Sequence, residues 1–282
     1  MNHRYLHVIA MLALIAVLGA CQPAHKPICV AMIGDSVPAG DAPVELPGVD
    51  FWRVYSYPIS KYAQDEASSK GETYITVLDR THAAATLSSG LREPYQTTDE
   101  YSHLKTDTCG VFAVFPWIND LNQPVPSDRA AQTHAAALEA LSAELIRDHS
   151  GAHILIFNYY PLQPKPWTTD YTEFVQPDTV ALFNGAIKAS CDSGGLHQAQ
   201  ITCYDVMEVF RDMDMSYLAG ETDHEEFESN LLVPLNEGQR QAMDYFLRIS
   251  PTGKIIGDGV HLSVSGRKRL ASFVLDVVRG LS

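Results

Sequence analysis

The most informative part of this sequence is Ile28-Cys29-Val30-Ala31-Met32-Ile33-Gly34-Asp35-Ser36. Its apolar residues, 28–33, are typical of a strand that is buried on both faces of a sheet. Gly34 then permits a sharp turn, and Ser36 comes at the carboxyl end of the strand, where open α/β sheets bind their ligands. The stretch therefore predicts a buried first strand followed by a candidate nucleophile. Asp and Ser at this place are equally typical of a helix N-cap.

Apolar runs and amphipathic segments alternate along the chain from residue 74 onward, after a polar segment. Such an alternation is typical of a parallel sheet with helices on both faces, here within one domain of about 255 residues. The predicted strands span residues 74–78, 110–115, 153–158 and 200–206, and the predicted helices span 127–149, 177–189 and a C-terminal segment from Ser263 or Ser265.

Asp258 and His261 lie three residues apart, immediately before the last predicted helix. A serine hydroxyl is a poor nucleophile until a base takes its proton. Histidine suits this role because its ordinary pKa is about 6.5, and a carboxylate can orient its ring and stabilise the imidazolium. The spacing allows both side chains to project from one short turn. A solvated surface loop is the alternative interpretation.

A third group follows the predicted strand 110–115, where the chain reads Pro-Trp-Ile-Asn-Asp-Leu over residues 116–121. The side-chain amide of Asn119 is of the right type to donate to a developing oxyanion, which acyl transfer through a tetrahedral intermediate requires. An Asx turn formed by Asn119 and Asp120 is the alternative.

Taken together and in this order, Gly34-Asp35-Ser36, Asn119, and Asp258 with His261 resemble the SGNH, or GDSL-type, hydrolases, a family of serine esterases and acyl hydrolases. The resemblance extends from residue 30 to about the C-terminus. It implies a flavodoxin-like α/β fold, a three-layer α/β/α sandwich with a central parallel sheet. It also implies that Ser36 is the nucleophile, His261 the base and Asp258 its partner, with Asn119 and the Ser36 backbone N–H in the oxyanion hole.

Two positions depart from the family pattern. Trp117 stands where a glycine normally precedes the asparagine by two residues, and residues 79–86 carry alanines where the family offers a glycine N–H as the third oxyanion donor. Ala84 is the candidate for that donor, since an alanine N–H can still donate if its backbone conformation is permitted. The missing glycines also allow a non-catalytic relative.

The N-terminus predicts export. Residues 8–20 form an apolar run typical of a signal peptide, and it ends in Leu18-Gly19-Ala20-Cys21, which looks like a bacterial lipobox. By this resemblance residues 1–20 are a lipoprotein signal peptide, Cys21 carries the lipid, residues 21–27 are a tether, and 28–282 are the hydrolase domain. The expected location is the cell envelope, at the outer membrane if the cell is Gram-negative because Gln22 follows the cysteine. Secretion without a lipid is the alternative.

The charge excludes some partners. Without residues 1–20, which contain Arg4 and no acid, the chain has 19 basic and 34 acidic residues, a net charge of −15. Nucleic acids and anionic lipid surfaces attract basic proteins, so neither is an expected partner, and a lipid anchor alone would hold the chain at a membrane. The acidic stretch 212–228 is either a solvated loop or a cation site without a known ligand pattern.

Four cysteines remain after Cys21, an even number for an oxidising compartment. Cys191 and Cys203 flank a short Ser-Gly-Gly loop, which makes a local disulfide reasonable. Cys29 and Cys109 each open a predicted strand, and they can pair if those strands are parallel neighbours, as the resemblance implies. The sequence leaves three connectivities open.

Other chemistries lack their motifs. The sequence has no Gly-x-Ser-x-Gly, no phosphate-binding or dinucleotide-binding glycine loop and no His-Glu-x-x-His, and neither a metal nor an organic cofactor is expected. His82 and His134 have no evident partner and are interpreted as structural or solvent-exposed. The aromatic residues of 159–174 either line a pocket or cover the sheet.

The sequence therefore predicts a serine esterase that hydrolyses carboxylic esters, of a lipid or of an acylated or acetylated carbohydrate, through an acyl-enzyme on Ser36. An acyltransferase of the same fold is the nearest alternative. A non-catalytic envelope-binding module is the alternative from another class.

Overall fold

A computed structural model describes residues 26–46, 49–55, 57–88, 92–121, 128–162, 177–213, 221–222, 237, 241, 255–256 and 260–281; for 41–46, 49–55, 177, 221–222 and 255–256 it describes the backbone alone. Among the described helices, none has the length and apolarity needed to span a bilayer.

A five-stranded, all-parallel sheet forms the centre of the molecule. Its strands lie in the order β4-β1-β5-β6-β7. The inner strands are almost wholly buried, as expected for a parallel sheet that is covered on both faces. The strands are β1 (Ile28–Gly34), β4 (Ile75–Thr81), β5 (Val111–Val114), β6 (His153–Phe157) and β7 (Ile201–Tyr204).

Helices cover both faces of this sheet, which confirms the predicted α/β/α sandwich. Helix α2 packs against α8, and α5 packs against α6. The helices are α1 (Ser36–Ala39), α2 (Ile59–Ser69), α3 (Asp99–Leu104), α4 (Ile118–Leu121), α5 (Asp128–Asp148), α6 (Pro177–Ser193), α7 (Val206–Phe210) and α8 (Val264–Gly280), with a 3₁₀ turn at Tyr95–Thr97.

Two small antiparallel pairs were not predicted from the sequence. The hairpin of β2 (Asp41–Leu46) and β3 (Val49–Tyr55) directly follows α1, and β8 (Glu221–Thr222) pairs with β9 (Ile255–Ile256). Pro43 lies within β2. Proline is depleted in strands because it cannot donate a hydrogen bond to the neighbouring strand, so residues 41–55 gave a weak strand signal.

The strand order places a topological switch point between β1 and β5. The chain passes from β1 to β4 on one side and then to β5 on the other side of β1. Ile33 pairs with Val114, and the Phe115 N–H donates to the Ile33 carbonyl at 2.8 Å. The segments that follow the two strands therefore begin side by side, at the place where open α/β sheets form their ligand crevice.

Two disulfides join the predicted cysteines. Cys29 pairs with Cys109, 80 residues away, and Cys191 pairs with Cys203, 12 residues away. The first bridge joins the starts of the adjacent parallel strands β1 and β5. Both predicted pairings are confirmed.

The last helix begins where the sequence indicated. Ser263 is its N-cap and accepts a hydrogen bond from the Gly266 N–H at 3.1 Å, and the apolar face from Leu270 to Val278 is buried against the core. Arg267, in the first turn of α8, is also buried, and its Nη1 donates to the Gly40 carbonyl at 3.1 Å. This contact fixes the start of α8 relative to the end of α1.

Candidate active site

The side chains of Ser36 and His261 meet at the carboxyl edge of the sheet. The His261 Nε2 lies 2.9 Å from the Ser36 Oγ, and both side chains are buried. Ser36 is the first residue of α1, directly after β1, and His261 lies two residues before the N-cap of α8. A neutral histidine with its proton on Nδ1 can accept the hydroxyl proton in this geometry, which is the arrangement of a base and its nucleophile.

Residues 260–262, which include His261, are held in place by burial and by a hydrogen bond. Val260 and Leu262 are fully buried on either side of the histidine, and the Tyr160 hydroxyl donates to the Val260 carbonyl at 2.8 Å. Asp258, the predicted partner of His261, lies outside the described residues. Tyr160 therefore connects this segment to the residues that follow β6.

Asp35 holds the turn that presents Ser36. Its carboxylate accepts hydrogen bonds from the Val37 N–H at 3.1 Å, as the N-cap of α1, and from the backbone N–H and the side-chain amide of Asn119 at 3.1 and 3.0 Å. Complete burial raises the pKa of Asp35 to about 7, although the hydrogen bonds from Val37 and Asn119 and the nearby His261 oppose this rise. The carboxyl thus joins the end of β1 to the segment after β5.

Gly34 is required by close packing at the same turn. A Cβ atom at this position would lie 2.6 Å from Cγ of Pro38 and 3.2 Å from Cβ of Phe115. The first distance is shorter than real Cβ contacts, so a larger residue would displace α1 and with it Ser36.

Asn119 lies beside this turn, with its amide hydrogens already engaged. The Nδ2 atom donates to Asp35 and, at 3.1 Å, to the Ala85 carbonyl. An amide nitrogen carries two hydrogens, so Asn119 can donate to an oxyanion only after one of these bonds is exchanged. In this structure the amide braces the segment after β1 against the segment after β4.

Two backbone N–H groups near this edge differ from their neighbours in their hydrogen bonding. Neither the Ser36 N–H nor the Ala84 N–H has an acceptor among the described residues. Ala84 has a φ of 66°, the only non-glycine residue in the described part of the chain with a positive φ. The left-handed conformation is the one that glycine favours, and Ala84 adopts it. The His82 N–H donates to the Gly34 carbonyl at 2.9 Å, which holds this segment beside the Ser36 turn.

Trp117, which stands where a glycine was expected, packs in the core. Trp117 is fully buried, and its ring lies edge-on to Tyr95 with 5.6 Å between the ring centroids. Its side chain is therefore part of the core beside Tyr95.

The structure gives His82 and His134 partners that the sequence did not indicate, which corrects the interpretation that they have none. The His82 Nδ1 lies 2.7 Å from the Glu100 Oε2, and the His134 Nδ1 lies 2.8 Å from the Asp120 Oδ2. The His134 pair is completely buried behind Asn119. No local motif marks these pairs, because each joins residues from different elements.

The structure describes the aromatic and acidic segments only in part. Tyr159 and Tyr160 are buried and belong to the core, whereas residues 163–176 lie outside the described part of the chain. Most of the acidic stretch 212–228 also lies outside it. Asp212 is described and accepts a hydrogen bond from Arg269 at 3.3 Å. Within the described residues, no group of three or more His, Cys, Asp or Glu side chains has the arrangement of a metal site.

No family model matches the sequence, and no curated protein matches it. Solved structures do match the fold. An aryl esterase from M. smegmatis is 14% identical with a TM-score of 0.57, and the match covers 90% of this chain and 100% of that chain. Est24, a carbohydrate acetylesterase from Sinorhizobium meliloti, is 14% identical with a TM-score of 0.53 over 90% and 100% of the two chains.

A third structure, described as a GDSL-like lipase from Parabacteroides merdae, is 11% identical with a TM-score of 0.53, and the match covers 90% of this chain and 96% of that chain. At such identities the likeness concerns the fold alone. It agrees with the parallel five-stranded sheet covered by helices on both faces. This chain therefore has the α/β fold of the SGNH, or GDSL-type, hydrolases.

Proposed function

We propose that this protein is a serine esterase that hydrolyses carboxylic esters through an acyl-enzyme on Ser36. The observation that carries the proposal is the 2.9 Å contact between the His261 Nε2 and the Ser36 Oγ. A buried serine with an imidazole nitrogen at hydrogen-bond distance is an activated nucleophile. The fold is that of solved structures named as an aryl esterase, a carbohydrate acetylesterase and a lipase, which supports ester hydrolysis in general.

In the proposed cycle, the Ser36 oxygen attacks the ester carbonyl while His261 takes the hydroxyl proton. His261 then gives this proton to the leaving alcohol, and the acyl group stays on Ser36. In the second half, His261 takes a proton from the water that attacks the acyl-enzyme, and it returns this proton to the Ser36 oxygen as the bond to the acyl group breaks and the acid leaves. Asp258 is proposed to orient His261 and to stabilise its charged form.

The Ser36 and Ala84 N–H groups are the proposed oxyanion donors, because neither has an acceptor among the described residues. Asn119 is proposed as the third donor, and it reaches the oxyanion by exchanging one of its bonds to Asp35 and Ala85. Such donors act most strongly in a site from which water is excluded, and Ser36, His261 and Asn119 are all buried.

A fluorophosphonate probe tests the proposal. Wild type should form a covalent adduct on Ser36, Ser36→Ala should form none, and Ser142→Ala should label as wild type does, because Ser142 is also buried but lies far along the chain on α5. An unlabelled wild type would contradict the proposal and favour the envelope-binding module.

A panel of nitrophenyl esters of short and long acids, together with acetylated sugars, then assigns the substrate class. We propose a lipid ester or an acylated carbohydrate as the natural substrate. Turnover of these esters that survives Ser36→Ala would contradict the acyl-enzyme. Adding an alcohol or a sugar as acceptor distinguishes acyl transfer from hydrolysis, because transfer yields a new ester in place of the free acid.

We also propose that Cys21 is lipidated and holds the protein in the cell envelope. Cys21 and residues 1–20 lie outside the described part of the chain, so the proposal rests on the lipobox-like sequence. Metabolic labelling with a fatty-acid analogue should mark wild type and leave Cys21→Ala unmarked. Equal labelling of both proteins, or of neither, would contradict lipidation.

A further inference from the structure

We propose that His134 is a positioning residue for the oxyanion donors and that it acts through Asp120 on the segment of residues 84–88. This inference rests on the proposed esterase function, because it assigns a role to the Ala84 N–H. It concerns a buried group of side chains behind the site, formed by Asp120, His134 and Tyr159.

The Asp120 carboxylate gathers donors from two parts of the chain. Its Oδ2 atom accepts hydrogen bonds from the Leu87 N–H at 3.2 Å, the Ser88 N–H at 3.1 Å and the Ser88 hydroxyl at 3.0 Å. It also lies 2.8 Å from the His134 Nδ1 on α5. Since Asp120 follows Asn119 directly, this carboxylate ties the segment after β4 to the segment after β5.

The same two segments are joined one residue earlier by Asn119, whose amide donates to the Ala85 carbonyl at 3.1 Å. Residues 85–88 are therefore held at both ends by Asn119 and Asp120. Ala84, with its left-handed φ of 66° and its available N–H, immediately precedes this clamped stretch. A shift of the clamp would move the Ala84 N–H relative to Ser36.

His134 fixes the Asp120 carboxylate and is itself fixed on its other side. The Tyr159 hydroxyl donates its one hydrogen to the Trp117 carbonyl at 2.9 Å, and its oxygen lies 3.2 Å from the His134 Nε2. The His134 ring is therefore held on both sides, by the Asp120 carboxylate at Nδ1 and by the Tyr159 hydroxyl at Nε2.

Burial makes this arrangement sensitive to loss of a single member. Asp120, His134 and Tyr159 have no exposed surface, and the rings of Phe183 and Tyr159 lie 5.4 and 5.6 Å from the His134 ring centroid. Removing one partner of a buried hydrogen bond leaves the other polar group unsatisfied. Without His134, Asp120 would be drawn toward its remaining donors or toward water, and residues 87–88 would move with it.

Kinetics of three variants on a nitrophenyl ester test the inference. His134→Leu should lower kcat by about tenfold or more while KM stays within about twofold, because oxyanion donors act mainly in the transition state. His134→Gln, which can still donate to Asp120, should recover part of this loss. Leu138→Ala is the matched control, since Leu138 is buried one turn further along α5 and contributes only packing.

Leu138→Ala should lower thermal stability and keep the wild-type kcat when it is assayed well below its melting temperature. The inference is wrong if His134→Leu keeps kcat within about twofold of wild type, or if Leu138→Ala lowers kcat as much as His134→Leu does. Should His134→Leu not fold, Tyr159→Phe removes only the hydroxyl that lies beside the His134 Nε2 and donates to the Trp117 carbonyl. Its kcat should then fall, and an unchanged kcat would overturn the inference.

Amide hydrogen exchange gives a readout that is independent of activity. The Leu87 and Ser88 amides should exchange faster in His134→Leu than in wild type, whereas the Val114 amide of β5 should keep its protection. Unchanged exchange at Leu87 and Ser88 would contradict the clamp. If wild type formed no fluorophosphonate adduct, the esterase proposal would fail by itself, and the exchange experiment would still decide whether His134 holds this segment.

Discussion

The imidazole of His261 and the hydroxyl of Ser36, 225 residues apart in sequence, lie at hydrogen-bond distance in a buried site. Ser36 begins α1, directly after β1, and His261 lies in the turn that precedes α8. The contact therefore joins two segments that lie near opposite ends of the described chain.

The effects of Ser36→Ala and His261→Ala on kcat should not add, because a base and its nucleophile act as a unit. Ser36→Ala and His261→Ala should each lower kcat on a nitrophenyl ester by about 10⁴-fold or more, and the double variant should be no worse than the single variants. Steady-state kinetics of the three proteins provide the measurement. A double variant that lost the product of the two single effects would show that the residues do not cooperate.

Ala84→Gly should stabilise the protein without loss of activity. Glycine relieves the left-handed strain of an alanine at φ 66°, worth about 1 to 2 kcal/mol, although its flexibility in the unfolded chain offsets about half of the gain. We expect a net increase of about 0.5 to 1 kcal/mol in the free energy of unfolding, measured with denaturant. Ala85→Gly is the control, because Ala85 has no positive φ and its substitution should destabilise. A destabilised Ala84→Gly variant would contradict the strain.

Tyr160→Phe should lower both the stability and kcat. It removes the hydrogen bond to the Val260 carbonyl, the residue before His261, and such a bond contributes about 1 kcal/mol. If the bond holds His261 in its reactive position, kcat should fall about fivefold. Tyr204→Phe, at a partly exposed tyrosine on β7, should leave kcat unchanged. Equal kinetics of Tyr160→Phe and wild type would show that the bond does not position His261.

The buried Asp35 should make stability fall as the pH rises toward neutrality. Its pKa is raised by burial to about 7 in the folded protein and is about 3.9 in an unfolded chain, so the folded state holds the proton more tightly. Its stabilising contribution is fully present below about pH 4 and is lost as the pH rises through about 7.

Other carboxyls titrate over part of this range, so the test compares wild type with Asp35→Asn. The difference between their free energies of unfolding should change between pH 4 and 7, and the variant should have the flatter profile. Parallel profiles would indicate that Asp35 has an ordinary pKa.

The two disulfides should contribute unequally. In the chain-entropy model, the bridge between Cys29 and Cys109 closes a loop of 80 residues and contributes about 4.5 kcal/mol, whereas the 12-residue loop of Cys191 and Cys203 contributes about 3 kcal/mol. Paired Cys→Ala variants, unfolded with denaturant, provide the comparison. A larger loss from the local pair would contradict this order.

Local pattern was enough to predict the layers of the fold. The apolar run before Gly34 became the fully buried β1, and the strand and helix segments predicted downstream are present with ends that differ by a few residues. The hairpin of residues 41–55 was missed because Pro43 within β2 weakens the strand signal. Element type follows from periodicity, which is a property of neighbouring residues.

The sequence by itself also determined which residue types were candidates: a serine after a buried strand, an Asp-x-x-His before the last helix, and an asparagine after another strand. The contacts that these residues make depend on the folded structure. It brought His261 to Ser36, engaged both hydrogens of the Asn119 amide and gave Ala84 a left-handed backbone. It also paired His134 with Asp120. These relations depend on the register of parallel strands that are distant in sequence, and hydrogen bonds between such segments are specified by distances and angles that no local pattern contains.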